Sequence, residues 1–233
     1  MTTHNRAQRS ATTSGEIGCD TQDMVIVHRV FRREFALLPA MITAVAAGDT
    51  KRAKIVGHHA HEMTEALHHH HEGEDVLVWP KLRGHPDIDE AWVTRMEDQH
   101  ARLAELLTDV NTRLDKWSRT ADIDDREGLA DAVAQLHDAL VEHLDDEEEF
   151  VLPIIARTLT TAEWDEVGEH GMASIPKSRL LVFLGYILED ATPDERTEFL
   201  SNNVPLPGRV SYRLMGRRKY EREASTLRRD LVA

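Results

Sequence analysis

Apolar residues recur along this chain at alternating steps of three and four, and four stretches carry the pattern. In the first, His28, Phe31, Phe35, Leu38, Ile42 and Val45 fall on one line. In the third, His100, Leu103, Leu107, Val110, Leu114 and Trp117 repeat that line 72 residues on. The second stretch gives Val56, Ala60, Met63, Leu67, His70, Glu74 and Leu77. The fourth gives Leu129, Val133, Leu136, Leu140, His143, Glu147 and Phe150, 73 residues further. Such steps keep one face of a helix turned towards a common axis. Turn signals separate the stretches: Gly48-Asp49, Gly84-His85-Pro86 and Thr120 to Asp125. No alternating strand pattern of any length appears. The spacing predicts an all-α fold over residues 21–158, an antiparallel up-down four-helix bundle made of two helical hairpins of one design.

The flanks differ. Residues 1–20 are polar and without period, which predicts a flexible tail. Residues 159–233 predict a helical C-terminal extension. Thr160 and Thr161 with Glu163, and Thr192-Pro193 with Glu195, are helix-start signals, and Leu180 to Leu188 is apolar nearly all round. That run suits a helix packed on the bundle or on a partner, and is too short to span a bilayer.

Composition narrows the function. The 233 residues hold 28 Lys+Arg against 42 Asp+Glu, a net charge of −14, which excludes a chain-wide surface for nucleic acid or anionic membrane. The single cysteine, Cys19, excludes a disulfide framework and thiolate-rich zinc sites. With no signal peptide at the start, a cytoplasmic protein without a membrane partner is expected. From Gly208 onward eight basic residues face three acidic ones, leaving the rest of the chain at −19. A helix lying against the acidic bundle accounts for such a stretch, and a protein partner docking there is the other reading.

The 14 histidines acquire meaning from the helix faces. His28, His70, His100 and His143 lie on the apolar seam, together with Glu74 and Glu147. His28 precedes Asp49 by 21 residues and His70 follows it by 21; about Ala121 the corresponding intervals to His100 and His143 are 21 and 22. All six side chains therefore converge at one level of the bundle. His-x-x-x-Glu places both residues on one helix face, but His58/Glu62, His61/Glu65 and His68/Glu72 match equally well. Only His70/Glu74 and His143/Glu147 lie on the seam and have a proline ten residues after the histidine, Pro80 and Pro153. Isolated ionised glutamates inside a bundle cost several kcal/mol, so two of them need compensating positive charge. Protonated histidines can supply it, and so can metal ions; the twofold pattern favours metal. The nitrogen and oxygen donors suit iron, and manganese or zinc less well.

These residues resemble those of hemerythrin-like (HHE cation-binding) proteins. The resemblance covers about residues 21–157. It rests on His28, on His70-x-x-x-Glu74 followed by Val76-Leu-Val-Trp-Pro80, on His100, and on His143-x-x-x-Glu147 followed by Phe150-Val-Leu-Pro153. It implies a four-helix bundle holding two iron ions in a non-haem di-iron centre. His28, His70, His100 and His143 would be terminal ligands, and Glu74 and Glu147 would bridge. It also implies a small partner: dioxygen, nitric oxide or peroxide. Hemerythrins proper carry His-x-x-x-His on the third helix, whereas here Met96 and Ala104 flank His100 at those distances. Glu97, His69 and His71 are the candidates for a fifth protein ligand. Carrier, sensor and enzyme stay open, including catalase-like turnover; so do an iron-dependent regulatory protein and an iron or zinc buffer. Glu97-x-x-His100 with Glu65-x-x-His68 gives a ferritin-like alternative. Apart from His70, the histidines of positions 58–71 are expected on a solvated face.

Overall fold

The computed structural model describes residues 17–86 and 88–231. Four long helices carry the seam: α1 (Gln22–Thr43), α2 (Thr50–Leu77), α4 (Glu90–Thr120) and α5 (Ile123–Asp146). A short helix, α3 (Trp79–Leu82), follows α2. A π-helical turn, Glu147–Val151, joins α5 to α6 (Leu152–Thr158). No strand occurs among the described residues.

Capping residues set the helix starts. Asp49, Asp89 and Asp122 accept hydrogen bonds from the backbone N–H groups of Arg52, of Ala91, and of Asp124 and Asp125. The loop between α4 and α5 is only Ala121-Asp122, and Ala121 takes a left-handed backbone (φ 50°) to make the reversal. Gly48 donates its N–H to the Ala121 carbonyl at 2.9 Å, fastening the two hairpin turns at one end. Side-chain pairs give the directions. Arg32 meets Asp145 on α5 and His28 meets Glu148 in the π turn that follows it (α1 with α5), while Arg95 meets Asp146 and Lys116 meets Asp125 (α4 with α5). Thr64 bonds Asn111 and Asp75 bonds His100 (α2 with α4), and Glu34 meets His59 while His28 meets His70 (α1 with α2). Each neighbouring pair runs antiparallel, as the spacing predicts.

Every seam position of α1 and α4 is buried. In the second and fourth helices the seam ends one residue later than the spacing indicates. Leu77 is only half-buried against the core and Phe150 is 37% exposed against Trp92, while Val78 and Val151 are fully buried. The cause is the same in both hairpins. The regular helix breaks after the glutamate and ahead of Pro80 or Pro153, whose missing N–H and ring prevent continuation. At the fourth helix the π turn absorbs the extra residue.

The extension folds back onto the bundle as α7 (Thr161–Ser174), α8 (Leu180–Leu188), α9 (Pro193–Asn203), α10 (Leu206–Ser211), a π turn (Tyr212–Gly216) and α11 (Arg217–Leu227). Thr160 with Glu163 and Thr192 with Glu195 form reciprocal capping boxes, so both helix-start signals are used. Val182, Phe183, Tyr186, Tyr220 and Leu227 join the main core, and Trp164 and Val167 join a second cluster with Trp79, Met96 and Ile155. Gly185 permits close approach of α8 and α11, since a Cβ there would overlap the Tyr220 ring.

Two polar clamps complete the docking. Arg52, buried on α2, donates to the carbonyls of Thr226 and Leu227 at 2.8 and 2.6 Å and so caps the end of α11. Glu34, fully buried on α1, accepts from Arg33 (2.7 Å), Arg228 (2.7 Å) and His59 (3.0 Å). Burial alone would raise its carboxyl, but His59, Arg33 and Arg228 outweigh it and hold the group down to about 2. Of the flexible tail expected over residues 1–20, residues 1–16 lie outside the described residues. Residues 18 and 19 differ from that expectation: their N–H groups bond the carbonyls of Leu159 and Ala156 at 2.9 and 3.0 Å. The Cys19 thiol is half-buried against the Ile155 carbonyl, and burial pushes it up to about 12.

Candidate metal centre

The six side chains expected to converge do so, within the bundle at the end away from the two hairpin turns. His28 and His70 meet edge to face with ring centroids 5.2 Å apart, and His100 and His143 meet at 4.7 Å. The imidazole nitrogens and carboxylate oxygens form two groups, His28, His70, Glu74 and Glu147 in one and His71, His100 and His143 in the other. Within each group the ligating atoms lie within 4.8 Å of one another. Each carboxylate stands between the groups. Glu74 has one oxygen 3.1 Å from His70 Nε2 and the other 3.2 Å from His100 Nε2. Glu147 Oε2 is 3.4 Å from His28 Nε2 and 3.9 Å from His143 Nε2.

His71 is the residue the even seam passes over. The 3–4 alternation selects His70 after Leu67, but α2 also presents Leu67, His71, Glu74 and Val78 inward, so both histidines reach the centre about 100° apart on the helix. The expectation that His59 and His71 lie on a solvated face is therefore corrected: both are buried, His59 against Glu34 and the Tyr186 ring, His71 against His100 and His143. His58, His61 and His68 are exposed as expected. The other candidates for a fifth ligand lie outside. Glu97 is 39% exposed and paired with Arg83, and His69 bonds Glu72 at the surface. Glu65 and His68 are exposed too, which removes the ferritin-like alternative. Met96 is wholly buried core.

The hydrogen bonding of these residues fits a cation. His28 Nε2, His70 Nε2, His71 Nε2 and both oxygens of Glu74 and of Glu147 are buried without a hydrogen-bond partner. Buried polar atoms are normally satisfied, and this many orphans aimed at one spot is the signature of a ligand-binding site. Donor pairs at about 2.1 Å from one metal are about 3.0–3.4 Å apart, which the shorter contacts here already match. The far sides of the rings are held. His28 Nδ1 lies 2.9 Å from Glu148, itself gripped by Arg32; His100 Nδ1 lies 2.7 Å from Asp75; His143 Nδ1 lies 3.2 Å from Gln99. A partner on Nδ1 fixes the ring and leaves Nε2 to face inward.

Burial dominates the electrostatics. It drives His70 down to about 4 and lowers His71 and His143 well below the usual histidine value. Burial also opposes charge on His100, but the Asp75 and Glu74 carboxylates overcome it and raise that ring to about 9. For Glu74 burial is outweighed by His70 and His100, which hold it down to about 2. Glu147 is raised well above the carboxylate range by burial and by Glu74. Phe31 lies against the His70 ring at 5.1 Å, and Leu67, Leu103 and Leu140, one helical turn along from His71, His100 and His143, are buried.

Five imidazoles and two carboxylates inside an antiparallel four-helix bundle define a cation-binding protein with nitrogen and oxygen donors. Residues 20–155 match the family model of the hemerythrin HHE cation-binding domain, and the chain belongs to that family. Neither a curated protein nor a solved structure matches the chain. Among the described residues no helix is long and apolar enough to cross a membrane.

Proposed function

We propose that the protein is a non-haem di-iron protein that binds or reacts with dioxygen, nitric oxide or peroxide, in redox response or sensing. The observation that carries this reading is the set of buried, unpartnered donor atoms shared between two groups by Glu74 and Glu147. In this assignment His28 and His70 would hold one cation, His71, His100 and His143 would hold the other, and Glu74 and Glu147 would be shared between them. Two iron ions there would supply redox chemistry towards the small ligand. Glu148, Asp75 and Gln99 hold the rings in place, and Phe31, Leu67, Leu103 and Leu140 keep water from the donors. His71 restores the count of five histidines that Met96 breaks on the third helix. His70, with 11% of its side chain exposed, marks the most open side.

Metal analysis and an optical spectrum of protein purified without chelator test the proposal. About two irons per chain with near-ultraviolet charge-transfer bands are expected, and His70→Ala and His143→Ala should each lower the metal content and weaken the bands. Retention of metal and spectrum in both variants overturns the assignment. Oxygen evolution on adding peroxide separates catalase-like turnover from binding. A regulatory reading draws support from the clamps, because α1 carries both His28 and the Glu34 anchor of the extension.

A further inference from the structure

Four of the large apolar side chains most open to solvent lie within ten consecutive residues of the extension. Leu206 is 68% exposed, Val210 49%, Leu214 65% and Met215 52%. The reason lies in the backbone. From residue 206 to 227 the chain runs through α10, a π turn and α11 without a break, but its two ends are treated differently. Gly216, Tyr220, Ala224 and Leu227 turn towards the body, Gly216 against Leu181 and Tyr220 against Gly185 of α8. Ahead of Gly216 the contact with the body thins: Tyr212 is half-buried against the cluster of Leu184, Leu188 and Phe199, and α10 has no buried residue at all. Leu206, Val210 and Leu214 then follow one another at steps of four on the free side.

The charge around this stripe is one-sided. From Val204 to Arg222 the sequence holds Arg209, Arg213, Arg217, Arg218, Lys219 and Arg222 against Glu221 alone, in a chain of net −14. The arginines that dock the extension are elsewhere: Arg179 binds Glu62 and Glu223, and Arg228 binds Glu34 and Glu189. Among the described residues, Arg213, Arg218, Lys219 and Arg222 are exposed and in no ion pair. Attraction to the acidic bundle therefore does not account for them.

We propose that residues 206–219 form an interfacial helix that seats the protein on an anionic lipid bilayer, with Leu206, Val210 and Leu214 entering the headgroup region and the surrounding arginines on the phosphates. An apolar stripe edged by basic residues is the pattern such helices require. Long basic side chains reach past the stripe to the polar level. Each basic residue near an anionic leaflet strengthens binding about fivefold. The acidic body is no obstacle, because repulsion beyond the Debye length of about 8 Å is screened at physiological salt. A second copy of this chain fits less well. Stripe against stripe would press Arg213 and Arg217 on their twins, and the other open apolar residues, Ile17, Ile55, Val76 and Met172 among them, lie singly on other elements. Nucleic acid is disfavoured too, since three aliphatic side chains run through the centre of the basic face. The proposal adds a peripheral lipid contact where the sequence pointed to no membrane, and it is independent of the metal reading.

Co-sedimentation of the full chain with vesicles of mixed phosphatidylcholine and phosphatidylglycerol, against vesicles of phosphatidylcholine alone, decides it. Binding to the anionic vesicles only, weakened by salt, is expected. The double variants Leu206→Asp/Leu214→Asp and Arg213→Glu/Arg218→Glu should each weaken the partition by about tenfold or more while circular dichroism stays unchanged. Should the aspartates disturb the helix, Leu206→Ser/Leu214→Ser gives the same direction. Absence of binding, equal partition onto the two vesicle types, or a partition that survives the folded leucine and arginine variants overturns the proposal. So does a leucine-dependent dimer, or leucine-dependent capture of a polyglutamate, in a chain that leaves the vesicles alone.

Discussion

His71 lies flat against His100, with ring centroids 4.4 Å apart and planes inclined by 23°. One helix position away, His70 belongs to the other group of ligands. His71→Ala should therefore lower the metal content from about two per chain to about one and leave the helical signal intact. His69→Ala, one residue on the other side, leaves two. Metal analysis on the two variants side by side checks this, and equal losses would count against a role specific to His71.

Asp75 stands outside the cluster, 2.7 Å from His100 Nδ1. Its contribution is orientation, so Asp75→Ala should weaken metal affinity by about 10–100-fold without abolishing binding. Competition with a chromogenic chelator measures the change. An unaltered affinity would show that His100 is held by packing alone, chiefly against Trp79 and His71.

Glu34 gives the clearest pH effect in the extension's attachment. Its carboxyl is held down to about 2 from an ordinary 4.5. A group with a depressed folded value stabilises fully above the unfolded value and loses that contribution as pH falls towards the folded one. Thermal stability should therefore decline between pH 4.5 and 2 with a contribution of at most about 3 kcal/mol. Glu34→Gln should be less stable at neutral pH by about 3–5 kcal/mol, because Arg33 and Arg228 lose a buried counter-charge, and should show a flatter acid limb. Melting curves across pH report both.

Gly185→Ala puts a methyl group where the Tyr220 ring sits. The backbones of α8 and α11 must part to admit it, at about 1–3 kcal/mol. Limited proteolysis should then cut between Val204 and Leu227 first, while the bundle and its metal content persist. Cleavage spread evenly over the chain would argue that extension and bundle unfold together.

Much of this was legible in the chain. Steps of three and four place Phe35, Leu107 and Leu136 in the core, and equal distances from the turns bring His28, His70, His100 and His143 to one level. Periodicity misleads where the helix stops being regular. After Glu74 and Glu147 it selects Leu77 and Phe150, because backbone breaks ahead of Pro80 and Pro153 shift the register by one residue. For a related reason the sequence left His71 as one of three candidates for a fifth ligand and missed the burial of His59. A strict seam admits one line per helix, and α2 buries residues on a broader arc because α1, α4, α7 and the extension all pack around it. The Glu34 clamp had no signal at all, since its partners are brought together only by the return of the extension.

That clamp also bears on time. Glu34 and Arg228 are 194 residues apart in sequence, so their contact closes a long loop and requires the extension to return to α1. Closing so long a loop is expected after the transition state for folding, and the free energy of a contact formed there appears mainly in the barrier to unfolding. Glu34→Gln should accordingly fold at nearly the normal rate and unfold many times faster. The two residues act as a latch, setting how long the closed molecule lasts rather than how quickly it closes.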